Sequence, residues 1–158
     1  MIRLLLAFII SFFYLSCSSP QNFDIQKEKQ KILELHNMQG KYHFEKKPEK
    51  LVSLFSKNFI SINNGEINSP TYNESVEMFR NYFNSVEFLK WDDIKEPVIR
   101  FSNDGSMAYS IVNKEVVIKT RDSKTEPKID TTIFSWLAIY KKYGEAWEMD
   151  CIISTNKP

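Results

Sequence analysis

The residues able to do chemistry are few. His36 and His43, the only two histidines, flank Gln39 at the spacing that places side chains on one face of an α-helix. Projected at 100° per residue, the segment from Asp24 centres its apolar arc on Ile25 and Ile32, and His36, Gln39 and His43 fall within about 40° of that line. If the helix runs unbroken past Gly40, the three point inward and a cavity there has convergent hydrogen-bonding groups and an imidazole base. If it ends or kinks near Gly40, His43 is simply exposed. Metal ligation by the histidines is the poorer reading, since no carboxylate or thiolate cluster accompanies them.

The remaining candidates read as structural. Asp92 and Asp93 are adjacent, cannot share a strand face and so form no acid/base dyad; a surface pair is expected. In the last segment Trp147, Met149, Cys151 and Ile153 alternate with Glu148, Asp150, Ile152 and Ser154, which turns Asp150 outward as a solvated or rim carboxylate. Cys151 has no basic neighbour to activate it and reads as a structural cysteine. No Gly-x-Ser-x-Gly elbow exists.

Composition bounds the function classes. The 158 residues carry 21 basic and 20 acidic side chains, too even a balance for the basic surface that nucleic acid needs. A hydrophobic fraction of 42% with 14% aromatics describes one packed domain. The four glycines, at 40, 65, 105 and 144, are too dispersed for a P-loop or a dinucleotide fingerprint, and no cofactor is expected.

The first 17 residues read as a leader. Arg3 precedes an apolar run from Leu4 to Tyr14 broken only by Ser11, and the run stops short of a membrane span. Tyr14, Leu15, Ser16 and Cys17 resemble a bacterial lipobox, which implies cleavage before Cys17 and lipid on its thiol; an ordinary secretory signal is the alternative. The expected organisation is a lipoprotein signal peptide at 1–17, a tether at 18–23 and one domain at 24–158. The protein would sit in the bacterial cell envelope, anchored by lipid and facing the periplasm or exterior. A mature chain starting at Cys17's position has no excess of positive charge, so the lipid must do the anchoring.

The elements that must position these residues follow from period and punctuation. A long amphipathic helix runs from Asp24 to the Lys46, Lys47, Pro48 break, and a short one opens on Pro48. Asn58 to Asn63 alternates as a strand ending at Asn63, Asn64, Gly65. Ser69, Pro70, Thr71 and Glu74 start a third helix with a capping pattern. Beyond it the period is two: Glu87 to Asp92, Val98 to Ser102, Met107 to Lys119, Thr131 to Lys142 and Trp147 to Thr155 read as strands. The Thr131 to Lys142 strand is apolar on both faces, with Thr132, Phe134, Trp136, Ala138 and Tyr140 opposed by Ile133, Leu137 and Ile139. Helices can cover one side, and a second subunit is the expected cover for the other.

Helices first and long antiparallel strands afterwards make an α+β domain. The stretch "LFSKNFISINNG", the Asn103-Asp104-Gly105 entry to a long strand and the closing "YKKYGEAWEMDCIIST" resemble the NTF2-like superfamily of SnoaL-like and DUF4440-type domains. The resemblance implies an NTF2-like cone, with three N-terminal helices packed on a strongly curved antiparallel sheet around an apolar cavity, often dimeric through the outer sheet face. The ligand-binding set is then His36, Gln39, His43, Trp136 and Tyr140.

That superfamily includes isomerases, cyclases and dehydratases as well as noncatalytic members, so the fold assigns no activity. Where isomerases of this kind carry a base after the first strand, this chain has Ser61, Ile62, Asn63 and Asn64. Where a histidine is often found in the closing strand, it has Cys151, Ile152 and Ile153. The first expectation is a noncatalytic envelope lipoprotein, homodimeric, binding a small apolar molecule or a partner protein. The second is an acid/base isomerase, cyclase or dehydratase with His36 or His43 as base and Tyr42 or Tyr140 as hydrogen-bond donor.

Overall fold

The computed structural model describes residues 23–121 and 126–157. The expected leader, Cys17 and most of the tether lie outside the described residues, as does part of the polar connection 121–130.

Local signals open each helix. The Asp24 carboxylate accepts from the backbone N–H groups of Gln26 (3.0 Å) and Lys27 (3.1 Å) and caps α1 (Ile25–Phe44). Helix α2 (Pro48–Val52) starts on its proline. At α3 (Tyr72–Ser85) the Thr71 hydroxyl accepts from the Glu74 N–H while the Glu74 carboxylate accepts from the Thr71 N–H at 2.8 Å, a complete capping box. The chain leaves α1 through Lys46, whose φ is 53°, and the Lys46 ammonium donates to the carbonyls of Phe83 (2.6 Å) and Val86 (2.5 Å). One lysine thus satisfies acceptors at the end of another helix.

The strands are β1 (Phe55–Asn63), β2 (Glu66–Asn68), β3 (Val86–Asp93), β4 (Val98–Phe101), β5 (Met107–Thr120), β6 (Ile129–Tyr143) and β7 (Ala146–Asn156). They form one sheet in the order β2-β1-β7-β6-β5-β3, with β4 also paired to β5. All pairs are antiparallel except β1 with β7, which makes the sheet mixed where the alternating strands pointed to a purely antiparallel one. Most of the domain separates β1 from β7, so no hairpin dictates their relative direction. Bulges interrupt β1 against β7, β3 against β5 and β6 against β7, and they bend the sheet toward the helices.

The concave side holds two packed clusters. One joins Ile32 of α1 to Phe59, Ala108, Ala138, Tyr140, Trp147 and Met149; the other joins Leu51 and Leu54 to Phe83, Val86, Phe88 and Val116. Ile32 is fully buried, but Ile25 is 57% exposed, contrary to its place at the centre of the apolar arc. The first turn of α1 instead buries Glu28, whose carboxylate accepts from Trp147 Nε1 (2.5 Å), Lys31 (2.9 Å) and Lys142 (3.2 Å). A carboxylate with three donors is a satisfied buried group, and it fastens the start of α1 to the β6–β7 hairpin. Phe23 packs edge-on against Phe101 with ring centroids 5.3 Å apart, and it covers Gly105, where a Cβ would lie 2.5 Å from Phe23 Cε2.

The closing strand corrects the expected alternation. Ile139 pairs with Cys151 and Tyr140 with Met149, so Asp150 is an extra residue. The bulge keeps Trp147 and Met149 buried on the inner side but moves Cys151 and Ile153 to the outer face beside Ile139 and Leu137. Asp150 does point away from the cavity and is half-buried rather than fully solvated: it accepts from Ser56 Oγ at 2.7 Å and pairs with the partly exposed Lys141 at 2.8 Å.

Candidate functional site

Helix α1 does not stop at Gly40. It continues to Phe44 and buries His36, Gln39 and His43 together, the outcome in which all three face the sheet. Gly40 is what permits the approach, because a Cβ there would lie 2.9 Å from Trp91 Cδ1. Trp91 in turn stacks on His43, with centroids 4.1 Å apart and planes inclined by 26°.

Beyond this stack lies a cavity of about 690 Å³. Gln39 and His43 of α1 form part of one wall, and Trp91, Phe134 and Trp136 from the sheet continue it. Phe55, Phe59, Met149 and Ile152 line the β1–β7 side, Phe79 and Tyr82 come from α3, and Asn63, Asn68 and Glu74 supply much of the polar rim. The walls are aromatic because inward positions on the bent sheet meet inward positions on α3. Polar groups are sparse, as in small-molecule sites generally.

His43 is the imidazole that this cavity presents. Its Nδ1 lies 2.7 Å from the carbonyl oxygen of Gln39, which can only accept, so Nδ1 carries the proton and Nε2 the lone pair. Phe79, Phe83 and Phe88 meet the ring edge-on around the Trp91 stack. Burial holds its pKa down to about 4, reinforced by the nearby Lys114 charge and only partly opposed by the Gln39 hydrogen bond. The ring is therefore neutral at physiological pH.

His36 lies behind the cavity and does not line it. Its Nε2 donates to Asp93 Oδ2 at 2.8 Å, and the other oxygen of Asp93 pairs with Lys114 Nζ at 2.5 Å. Burial lowers the His36 pKa, Asp93 opposes the change, and Lys114 adds to it. The Lys114 ammonium is 3% exposed and sits 5.7 Å from the Trp91 ring centre and 5.8 Å from that of Trp136. Asp93 is exposed, as expected of a surface carboxylate, but it also joins His36 to Lys114 beside the cavity wall.

Of the five expected ligand-binding residues, the cavity collects Gln39, His43 and Trp136. Tyr140 is fully buried outside it, with burial raising its pKa against smaller opposing effects of Ser110 and Gln39. Among the described residues, Trp136 Nε1 and His36 Nδ1 are buried without a hydrogen-bond partner, and the buried Tyr140 hydroxyl, Ser110 Oγ and Gln39 Nε2 lie together without a well-aligned bond. Tyr42 is engaged elsewhere, its hydroxyl meeting Met38 Sδ at 3.6 Å. Trp91 and Lys114 were not among the expected site residues, and Asp93 was expected only as one of a surface pair. Lys114 carried a signal, since it stands at an inward position of β5 between Val112 and Val116. Asp93 carried none, because the bulge between Phe88 and Lys90 resets which residues of β3 face inward.

No family model and no curated protein matches this chain in sequence. Solved structures match its fold. A nuclear transport factor 2 (NTF2-like) superfamily protein from Salmonella enterica serovar Typhimurium superposes with a TM-score of 0.69 at 15% identity, over 84% of this chain and 93% of that one. A ketosteroid isomerase-like protein from Erwinia carotovora atroseptica gives 0.64 at 12% identity, over 84% and 98%. An NTF2-like protein with a cystatin-like fold from Novosphingobium aromaticivorans gives 0.61 at 11% identity, over 82% and 81%. With helices leading into a bent mixed sheet around an aromatic cavity, the chain has the α+β cone fold of the NTF2-like superfamily.

Proposed function

We propose that the domain binds a small, largely apolar ligand in the cone without transforming it, as the soluble part of a bacterial envelope lipoprotein anchored through Cys17. The observation that carries this reading is the cavity itself: about 690 Å³ lined by aromatic side chains lies in the range of ligand sites. The wall offers little for acid/base catalysis. Among the described residues Glu74 is the one carboxylate at the cavity, and it is occupied in the capping box of α3. His43, with a pKa held to about 4, is a weak base at neutral pH.

The acid/base alternative rests on one observation, that His43 presents an imidazole to the cavity, and on analogy with a fold neighbour named for ketosteroid isomerase. Burial of Tyr140 and His36 outside the cavity removes the nearest partners such a base would use. A homodimer through the outer sheet face is part of the proposal: Tyr109, Ile111 and Ile153 are each more than a third exposed there and adjoin Leu137 and Ile139.

Native mass spectrometry of the protein extracted from its own membranes tests the reading. The expected spectrum shows acyl mass on Cys17, a dimer, and a small noncovalent adduct that dissociates intact. An empty cavity in protein that also fails to quench on titration with apolar fluorophores overturns ligand binding, and chemical turnover of the adduct favours the enzyme.

A further inference from the structure

The ligand class can be narrowed from the hydrogen-bonding state of the cavity wall, an inference that rests on the ligand-binding reading above. Three facts bear on it. The Gln39 carbonyl takes the Nδ1 proton of His43, leaving Nε2 as an acceptor with no protein donor among the described residues. Gln39 and Trp136 line the same cavity and are each more than nine-tenths buried, but their N–H groups are packed within the protein, that of Gln39 toward Tyr140, so His43 Nε2 is the polar atom left for a ligand on this wall. Beneath the wall, the Lys114 charge is already paired with Asp93.

We propose that the ligand is an uncharged apolar ring system bearing a hydroxyl group, which donates to His43 Nε2, and that His43 is the residue selecting for it. A hydroxyl suits this wall because it has one proton to give to the Nε2 lone pair and carries no charge into an apolar site. A ketone or an ether can accept but cannot donate, and it would leave the Nε2 lone pair buried and unsatisfied. An ammonium can donate, but the one carboxylate among the described lining residues, Glu74, is held in the capping box of α3 at the rim and does not compensate its lost hydration. A carboxylate has no proton to offer. Protonation of His43 does not rescue a ketone or ether, because the aromatic surroundings of Trp91, Phe79, Phe83 and Phe88 disfavour the charged ring. The groups that could influence this exchange are the neighbouring charges Lys114 and Asp93, which are paired to each other, and Glu74 at the rim.

Naphthol and its methyl ether separate the possibilities, because they share a ring and differ in the proton. Binding to the full-length protein is followed by quenching of tryptophan fluorescence. Naphthol is expected to bind about 10- to 100-fold more tightly than the ether, the factor for leaving a buried acceptor unsatisfied. His43→Phe should bring the two within about twofold while retaining the ether, and His43→Gln, which keeps an acceptor, should restore part of the preference. Nitrogen-15 spectra of the unaltered protein give a readout independent of variant folding. Nε2 should start as an unprotonated nitrogen and shift toward the hydrogen-bonded value with naphthol, but not with the ether. Equal affinity of the two compounds, or a preference that persists in a folded His43→Phe protein, overturns the inference and leaves apolar binding standing. If neither compound binds, the ligand-binding reading fails, and this inference with it.

Discussion

Lys114 Nζ and Asp93 Oδ1 stand 2.5 Å apart, an ion pair whose cationic half is enclosed on the concave side of the sheet between the indoles of Trp91 and Trp136. The second oxygen of Asp93 accepts from His36, so one carboxylate ties β3 to both β5 and α1. The cavity wall formed by Trp91 and Trp136 rests on that junction.

Breaking the pair from the acidic side should be costly. Asp93→Asn leaves the Lys114 ammonium buried without a counter-charge, and a loss of about 3 kcal/mol is expected in urea denaturation. Lys114→Met removes the buried charge and fills similar space, so its cost should be smaller because the quarter-exposed Asp93 can turn to water. Equal costs for the two substitutions would show that desolvation of Lys114 is not what Asp93 offsets.

His43 makes stability depend on pH in a defined window. Its folded pKa of about 4 lies below the ordinary 6.5, so the unfolded chain binds a proton that the folded one refuses. Stability is therefore full above pH 6.5 and declines as pH falls toward 4, by about 3 kcal/mol at most. His36, also lowered, adds a decline of the same sign. His43→Phe should flatten most of this slope in denaturation curves taken from pH 7 to pH 4; an unchanged slope would contradict a neutral, enclosed imidazole.

Glu28 acts at lower pH. Burial on its own would raise its pKa, but hydrogen bonds from Lys31, Trp147 and Lys142 outweigh that and hold it at about 2, against an ordinary 4.5. A depressed carboxylate contributes stability above pH 4.5 that is lost as pH falls toward 2. Glu28→Gln should reduce the acid slope below pH 4.5 and leave the slope from pH 7 to pH 5 unchanged. Thermal melts across that range distinguish the two groups.

Gly40→Ala places a methyl group 2.9 Å from Trp91 Cδ1. Helix propensity favours alanine by about 1 kcal/mol, whereas overpacking costs about 1–3 kcal/mol. Trp91 is held by the His43 stack and lies beside Lys114, so it has little room to yield. A net loss near 1 kcal/mol is expected, with a changed near-ultraviolet circular dichroism signal from the indole. A stabilised variant with an unaltered signal would show that the indole has free space behind it.

The outer face can be tested with one charge. Ile111 is 46% exposed and lies in register with Val98 on one side and Leu137 on the other. Ile111→Lys should convert a dimer to a monomer in sedimentation with unchanged far-ultraviolet circular dichroism. Unaltered protein sedimenting as a monomer at every concentration would remove the dimer from the proposal.

Much of this architecture was legible in the sequence because its causes are local. Asp24, Pro48 and the Thr71–Glu74 pair announce helix starts within a few residues of themselves, and Asn103–Gly105 and Gly144 announce their turns. The helical spacing of His36, Gln39 and His43 was visible too. The tertiary structure alone decided whether α1 continued past Gly40, since the answer depends on Trp91, more than fifty residues away. It also decided which face Asp93 and Cys151 occupy. A single extra residue at a bulge reverses side-chain alternation along a strand, and a bulge depends on the pairing of distant segments, which no short window of residues contains.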